Sequence, residues 1–436
     1  MTAITNPTQP NDSFFGRAEY YAPDPIFALT EAYHKDPSPN KVNLGQGAYR
    51  DEYGLPLVLP CVEKALGLLN ERELDHEYLP ILGLTGFRER VAELVIGKDI
   101  LESKKERVAS CQTLSGTGSL HLLGKLIAHC QTRKPKILIP QPTWSNHNHI
   151  YGSLGFECIP FRYYDPYTKS LDFEAYMIAL NEAEPGTVVI LHACAHNPTG
   201  CDPSQDQWKQ IGQVVKERKL FPAFDAAYLG FNSGSFDLDV FPIRHFVNEL
   251  ELEAAICVSF AKNMGLYGER VGCLVLHTSS SEAATNSTSV LERLQRGEIS
   301  NPPAYGAKIV ETVLSNPELT NTWYEDMANM SNRISSMRNC LYNSLLDHGK
   351  KLRFTATYTH TDMAYAATPG LWKHLIRQSG MFGFLGLSPN VVKELRETYH
   401  IYMADNSRIS LSGLNESNVE YVAASIAACV RREVQY

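Results

Sequence analysis

The chain of 436 residues has no apolar run approaching the length of a membrane-spanning helix. Its first fifteen residues contain neither Arg nor Lys nor a hydrophobic block, so we expect no secretory signal or Arg-rich transit peptide, and a cytoplasmic location. The net charge of -8 is spread along the sequence without a basic cluster, which argues against nucleic acid or an anionic membrane surface as the main partner.

The ten cysteines include no CxxC pair, and most of them lie in apolar stretches such as the one around Cys257. Cysteines in such surroundings behave as small hydrophobic residues. The pattern therefore predicts reduced core thiols and argues against a disulfide framework or a metal site.

What the chain does contain is an ordinary globular composition, with 44% hydrophobic and 20% charged residues, enough for large cores in two domains. From about Leu57, helical patterns alternate with short apolar runs that are typical of buried strands. Strands are predicted at residues 136–140, 187–191, 221–224, 255–258 and 271–276. This alternation predicts an α/β fold, a mostly parallel sheet sandwiched by helices, with its ligand site beyond the carboxyl ends of the strands.

Lys262 stands out because it lies between two predicted buried strands, in a turn rich in glycine. A desolvated lysine is more easily neutral, and a neutral amine can attack an aldehyde to form an imine. Arg270, eight residues later, offers a planar fork suited to a phosphate. An aldehyde and a phosphate on one small molecule describe pyridoxal phosphate. The alternative is that both are solvated loop charges.

Polar groups follow the other predicted strands as well. Residues 115–118 form a Ser/Gly/Thr turn at a helix N-terminus, a suitable phosphate seat. Asn197 follows the strand at 187–191 and could donate to a phenolic oxygen. Asp225 ends the next strand, where a buried carboxylate needs a cation such as a protonated pyridine nitrogen, unless it is only a helix N-cap.

The pattern changes beyond about Pro317. Apolar residues at helical spacing from Met327 to Leu345 predict one long helix closed by Gly349, followed by a polar insertion or long loop at 350–370. Capping boxes at Ser204–Gln207 and Ser417–Glu420 predict the starts of two further helices. The expected organisation is an N-terminal arm (1–25), a large cofactor-binding domain (57–330) and a smaller α+β domain from both termini (26–56 and 331–436).

Taken together, the sequence resembles the class I aminotransferases of the pyridoxal-phosphate fold type I group, and within them the aspartate aminotransferase group. The likeness runs from about Tyr21 to the C-terminus. The motifs that carry it lie at residues 42–45, 47–50, 77–81, 115–118, 142–147, 192–200, 225–228, 259–272, 300–303, 380–382 and 408–414.

The resemblance implies a role for each matching residue around the cofactor. Lys262 would form an imine with the cofactor and, once freed by the substrate, would carry the proton between the substrate α-carbon and the cofactor's C4′ carbon. Asp225 would keep the pyridine nitrogen protonated, and Trp144 would stack on the ring. Tyr228 and Asn197 would bond the ring oxygen. The residues implied at the phosphate are Ser115, Gly116, Thr117, Ser259 and Arg270, with Tyr78 reaching in from the partner subunit.

For the substrate, the resemblance implies that Arg408 binds the α-carboxylate and that Arg296, four residues before the motif at 300–303, binds a distal carboxylate across a homodimer interface. Two guanidinium groups set apart by the length of a diacid select diacids. Arg296 could instead be a surface helix arginine, as Arg293 is expected to be. The other residues implied at the substrate are Gly47, Trp144, Asn197 and Phe382.

The implied activity is ping-pong transamination between L-aspartate and 2-oxoglutarate in a homodimer with shared active sites. The alternatives are an aminotransferase of aromatic amino acids or kynurenine on the same scaffold, and an inactive dimeric binding module. Gln46, Ser407 and the insertion at 350–370 depart from the family pattern, which leaves side-chain preference and closure kinetics open.

Overall fold

The computed structural model of the protein describes residues 14–72, 74–351 and 372–434. The strands are β1 (Val42–Asn43), β2 (Val108–Leu114), β3 (Ile137–Gln141), β4 (Cys158–Arg162), β5 (Tyr164–Asp165), β6 (Ser170–Leu171), β7 (Val188–His192), β8 (Phe221–Ala226), β9 (Ala254–Ser259), β10 (Val271–His277), β11 (Phe382–Phe384), β12 (Ile401–Tyr402) and β13 (Arg408–Ser410).

Helices cover both faces of the main sheet. They are α1 (Pro25–Lys35), α2 (Pro60–Asn70), α3 (Thr85–Ile96), α4 (Lys98–Lys104), α5 (Ser115–Cys130), α6 (Asn146–Ser153), α7 (Phe173–Glu182), α8 (Gln205–Glu217), α9 (Phe236–Asp239), α10 (Phe241–Arg244), α11 (Ser281–Glu298), α12 (Tyr305–Ser315), α13 (Pro317–Lys351), α14 (Lys373–Arg377), α15 (Pro389–Tyr399) and α16 (Val419–Val434). Among these described helices none is both long and apolar enough to cross a bilayer.

The main sheet has seven strands in the order β2-β10-β9-β8-β7-β3-β4. Strand β10 is antiparallel to both of its neighbours, whereas the pairs from β9 to β4 are parallel. The predicted α/β architecture is therefore confirmed. Two buried hydrophobic clusters lie on opposite faces of this sheet, because successive strand residues point to opposite sides. Because β2 and the strands from β9 to β4 all run in the same direction, the carboxyl ends of β2, β3, β7, β8 and β9 meet at one edge.

Smaller sheets lie apart from the main one. Strand β1 pairs with β12 in parallel, and β11 pairs with β13 in antiparallel fashion. The segment near Val42 thus joins strands from the C-terminal part of the chain, as the predicted small domain requires. The division into an arm and two domains stays a prediction. Residues 1–13 of the arm and 352–370 of the insertion lie outside the described residues.

Several predicted boundaries were wrong. Helix α13 continues through Gly349 to Lys351, and α5 begins at Ser115 itself rather than after a turn. The capping box predicted at Ser417–Glu420 is absent, because Asn415 and Asn418 make the reciprocal bonds: each backbone N–H donates to the other's Oδ1, at 2.9 and 3.0 Å. The box at Ser204 forms as predicted and starts α8.

Candidate active site

The strand register explains why distant residues share one edge of the sheet. His192 at the end of β7 lies opposite Asp225 in β8, and Ser259 at the end of β9 lies opposite Gly272 in β10. Leu114, the last residue of β2, lies opposite Val271. Because β10 runs in the reverse direction, its amino end reaches this edge, where the other strands present their carboxyl ends. Arg270 therefore enters the same region as Lys262.

Lys262 follows β9 and projects over the ring of Tyr228, with its Nζ 5.0 Å from the ring centroid. Burial lowers the pKa of Lys262 from its ordinary value, the charge of Asp225 partly offsets this change, and Arg270 reinforces it. The amine thus feels both an acid and a guanidinium, the arrangement predicted from the sequence. A lysine with a lowered pKa is more often neutral and is a better nucleophile and base.

Asp225 is buried, and its partner is a histidine. Its Oδ2 lies 3.0 Å from His147 Nε2, and His147 Nδ1 lies 2.9 Å from Thr143 Oγ1. Burial raises the pKa of Asp225, but the hydrogen bond and charge of His147, together with the charges of His192 and Lys262, lower it by more, so the net pKa falls below its ordinary value. The carboxylate is therefore held ionised. It lies inside β8, which excludes the alternative that it is only a helix N-cap.

The predicted phosphate seat is assembled from β2, α5, β9 and β10. Ser115 Oγ and Ser259 Oγ lie 2.9 Å apart, and no side chain caps the first N–H groups of α5, which include those of Gly116 and Thr117. A Cβ on Gly272 would lie 2.5 Å from the backbone carbon of Ser115, so only glycine fits there. Arg270 is exposed, and its Nη1 donates to the Tyr267 carbonyl at 3.0 Å.

Arg408 lies buried on the other side of the site. Its Nη1 donates to Asn197 Oδ1 at 3.3 Å, its Nη2 donates to the Gly45 carbonyl at 2.9 Å, and its guanidinium lies 4.3 Å from the centroid of the Phe382 ring. Its Nε is buried without a hydrogen-bond partner. A Cβ on Gly47 would lie 3.2 Å from Phe382 Cζ, so the loop packs closely here. A buried guanidinium with an unused N–H is suited to binding a carboxylate.

Tyr78 and Arg296 do not join this group within the chain. Tyr78 is 87% exposed, and Arg296 lies exposed near the end of α11, where its Nη1 donates to Ser300 Oγ. Trp144 is partly exposed at the edge of the site, with its ring 5.3 Å from that of His147. The location of Tyr78 and Arg296 is compatible with a role in a neighbouring subunit, which stays a prediction.

Thr143 and His147 lie in the motif at 142–147 and His192 lies in the motif at 192–200, but no individual role was predicted for them. Thr143 Oγ1 bridges the two histidines, with His192 Nε2 at 2.9 Å, and burial lowers the pKa of His192 to about 3. Their spacing along the chain carried no signal, because three separate elements bring them together. The carbonyl of Gly45 was missed for the same reason.

Comparison with known proteins places these residues in a wider context. The family model described as aminotransferase class I and II matches residues 39–426. A mitochondrial aspartate aminotransferase of Dictyostelium discoideum is 42% identical to the chain, with 97% of this chain and 94% of the relative covered. A cytoplasmic aspartate aminotransferase of Oryza sativa subsp. japonica is 45% identical, with coverages of 94% and 96%.

A solved structure extends the similarity to three dimensions. It is an aromatic-amino-acid aminotransferase of Burkholderia pseudomallei covalently bound to pyridoxal phosphate. The two chains are 37% identical and superpose with a TM-score of 0.88, over 96% of this chain and 100% of that one. The fold of this chain thus has a counterpart in a protein that carries this cofactor.

Proposed function

The chain belongs to the class I and II aminotransferases, and from this premise we propose that it transfers an amino group between L-aspartate and 2-oxoglutarate, giving oxaloacetate and L-glutamate. The observation that carries the proposal is the position of Lys262, whose amine lies over the Tyr228 ring and within the influence of Asp225 and Arg270. The relatives named aspartate aminotransferase support the substrate.

The residues at the sheet edge fit pyridoxal phosphate. The uncapped N-terminus of α5, the Ser115–Ser259 hydroxyl pair and the lack of room for a side chain at Gly272 together make a seat for a phosphate group. Asp225 is held ionised, as a carboxylate facing a pyridinium nitrogen must be. When bound, the cofactor supplies an aldehyde that amines can attack and a ring that accepts the electrons of the broken Cα–H bond.

Each proposed role follows from the environment of the side chain. Lys262 would hold the cofactor through its amine. Once freed by the substrate, the same amine, with its pKa lowered by burial, would take the proton from the substrate α-carbon and deliver it to the C4′ carbon of the cofactor. Asp225, held by His147, would stabilise positive charge on the ring nitrogen. Tyr228 and Asn197 would donate to the ring oxygen, and Trp144 would cover one face of the ring. Burial raises the pKa of Tyr228, which keeps its hydroxyl protonated.

Selection of diacids rests on two arginines. Arg408 binds the α-carboxylate, in a pocket closed by Phe382 and by the loop containing Gly47, and its buried Nε is available for this bond. Arg296 binds the distal carboxylate of the substrate in the partner subunit. A monoacid would leave the second guanidinium unpaired, so it would be bound more weakly.

The shared sites require a homodimer, and exposed aromatic side chains support one. Phe14, Phe15, Tyr20 and Tyr21 are between 77% and 95% exposed in the single chain, more apolar surface than one short segment usually leaves uncovered. We also propose a cytoplasmic location. Relatives with similar identity come from both cytoplasm and mitochondria, so cell fractionation is the test of that part.

A spectral titration of the purified holoenzyme tests the main proposal. Aspartate and glutamate should each convert the bound cofactor to its amino form, and an aromatic amino acid should do so less efficiently. Borohydride followed by peptide mapping should label Lys262. Turnover of aspartate no faster than that of phenylalanine would favour an aromatic aminotransferase instead, and a protein without a cofactor band or label would be an inactive binding module.

A further inference from the structure

Gln112 is a buried glutamine whose polar atoms are all used. It lies in β2, the strand that ends next to Ser115, and only 1% of its surface is exposed. Its Oε1 accepts from the Leu84 N–H at 3.0 Å, and its Nε2 donates to the Pro303 carbonyl at 2.7 Å. A carboxamide inside a protein must be bonded in this way, so an apolar side chain could not replace these contacts.

The backbone of Gln112 makes a second set of contacts with the same surroundings. Its N–H donates to the Leu82 carbonyl at 2.9 Å. Its carbonyl accepts from Gln295 Nε2 at 2.7 Å, and the same Gln295 amide donates to the Ile81 carbonyl at 3.1 Å. One strand residue thus binds the segment 81–84, the end of α11 and the loop at 303.

Close packing fixes this arrangement further. Gly83 has a φ of +92°, and a Cβ on it would lie 2.2 Å from the Cβ of Gln112. The segment therefore lies directly against β2, at a distance that only glycine permits. Nearby, Asn301 Nδ2 donates to the Leu79 carbonyl at 3.0 Å, which ties the loop after α11 to the residue next to Tyr78.

Both attachments lead to the residues proposed for the partner's site. Tyr78 precedes the segment held by Gln112, and Arg296 directly follows Gln295. A second link joins α11 to α5, because Glu298 at the end of α11 pairs with His121 at 2.7 Å and with Lys125 at 3.4 Å, both on α5. Helix α5 begins at the phosphate seat of the chain's own site.

We infer that Gln112 is a positioning residue. It holds Tyr78 and Arg296, which serve the partner's active site, in a fixed position relative to β2, the strand that ends next to Ser115 in the chain's own active site. The inference rests on the proposed function and on the homodimer. In this arrangement the distal-carboxylate arginine of one site is fixed by the scaffold of the other. Loss of the carboxamide should loosen recognition of the distal carboxylate and leave the chemistry at Lys262 unchanged.

The test uses holoenzyme carrying Gln112→Met or Gln295→Met, which keep side-chain length and remove the hydrogen bonds. We expect kcat/KM for aspartate to fall about tenfold, a factor typical of losing a buried hydrogen-bond partner. The affinity for succinate, a diacid without an amino group, should fall by a similar factor in calorimetry. The kcat/KM for alanine, which has no distal carboxylate, and the absorption spectrum of the bound cofactor should stay as in the wild type.

Asn248→Leu is the matched control, because it also removes a hydrogen bond from a side-chain amide to a backbone carbonyl, that of Ile96, at 2.9 Å. Asn248 precedes the amino end of β9 and therefore lies away from the site. An equal loss for aspartate and alanine, or unchanged succinate binding, would overturn the inference. If Gln112→Met does not fold, Gln295→Met decides, because it leaves Gln112 in place. Failure of the proposed function is distinguishable, since the wild type would then not transaminate aspartate.

Discussion

Two regions of the molecule handle polar side chains in opposite ways. In the candidate active site, Asp225 and Arg408 are buried and bonded within the chain: Asp225 to His147, and Arg408 to Asn197 and Gly45. On the outer surface, Tyr78 and Arg296 are exposed. The comparison teaches that the proposed base and its acid partner come from one chain, whereas the proposed recognition of the distal carboxylate is presented outward for a second copy.

The largest test of this contrast is Lys262→Ala. It removes the proposed attachment point and base together, so kcat should fall at least about 10⁴-fold for every amino acid substrate. Steady-state kinetics with aspartate and alanine measures the change. The control is Lys209→Ala, an exposed lysine of α8 that should leave kcat unchanged. Retained turnover in Lys262→Ala would contradict the assignment of the centre.

Asp225→Asn keeps the shape of the buried centre and removes its charge. Without the carboxylate the ring nitrogen loses its stabilising partner, and kcat should fall about 10²- to 10³-fold, again for all substrates alike. Asp239→Asn is the control, because burial already raises the pKa of Asp239 to about 6 and its neutral form is therefore accessible. A loss confined to aspartate in Asp225→Asn would place the residue in recognition instead.

Arg296→Leu tests the outward region. Losing a charge-assisted hydrogen bond to the distal carboxylate should lower kcat/KM for aspartate about 10- to 100-fold, with alanine and phenylalanine unaffected. Arg293→Leu, three residues earlier on the same helix and also exposed, is the matched control. Equal activity of Arg296→Leu and wild type on aspartate would remove the residue from the recognition surface.

Tyr78→Phe should have the smallest effect. It removes one hydroxyl from the proposed phosphate seat of the partner, so the cofactor should dissociate about two- to tenfold more readily. Fluorescence measurements of cofactor release from the dimer provide the value. Tyr167→Phe changes a tyrosine that is 94% exposed and serves as the control. Unaltered release in Tyr78→Phe would mean that this tyrosine does not reach the phosphate.

The sequence predicted the interior of the main sheet well, because β7, β9 and β10 are uninterrupted apolar runs that read as buried strands. Strand β2 was not predicted, since Ser110, Gln112 and Thr113 break the apolar pattern. Those polar residues are tolerated because they bond to neighbouring elements, as Gln112 does with Leu84 and Pro303. Tertiary contacts of this kind leave no periodic signal.

The candidate site divides in the same way. Lys262 and Asp225 could be identified because each follows or lies near the end of a strand, and the edge rule for parallel sheets brings them together. Arg270 could be identified because it immediately precedes a predicted strand, eight residues after Lys262. The contact of Arg408 with the Gly45 carbonyl joins residues far apart in the chain and could not be predicted from spacing. The exchange of the cap at α16 from Ser417 to Asn415 shows that two overlapping polar motifs cannot be ranked without their geometry.

The reversed direction of β10 has a consequence for how the chain can vary. Strands β9 and β10 form a hairpin, so the Lys262 amine and the Arg270 guanidinium lie on one local turn, residues 260–270, which fixes the distance between them. Helix α13 supports this turn from outside, because Trp323 Nε1 donates to the Asn263 carbonyl at 2.7 Å. Lengthening that turn would shift the amine relative to the phosphate seat, whereas insertions elsewhere on the surface would leave the relative positions of the amine and the guanidinium unchanged.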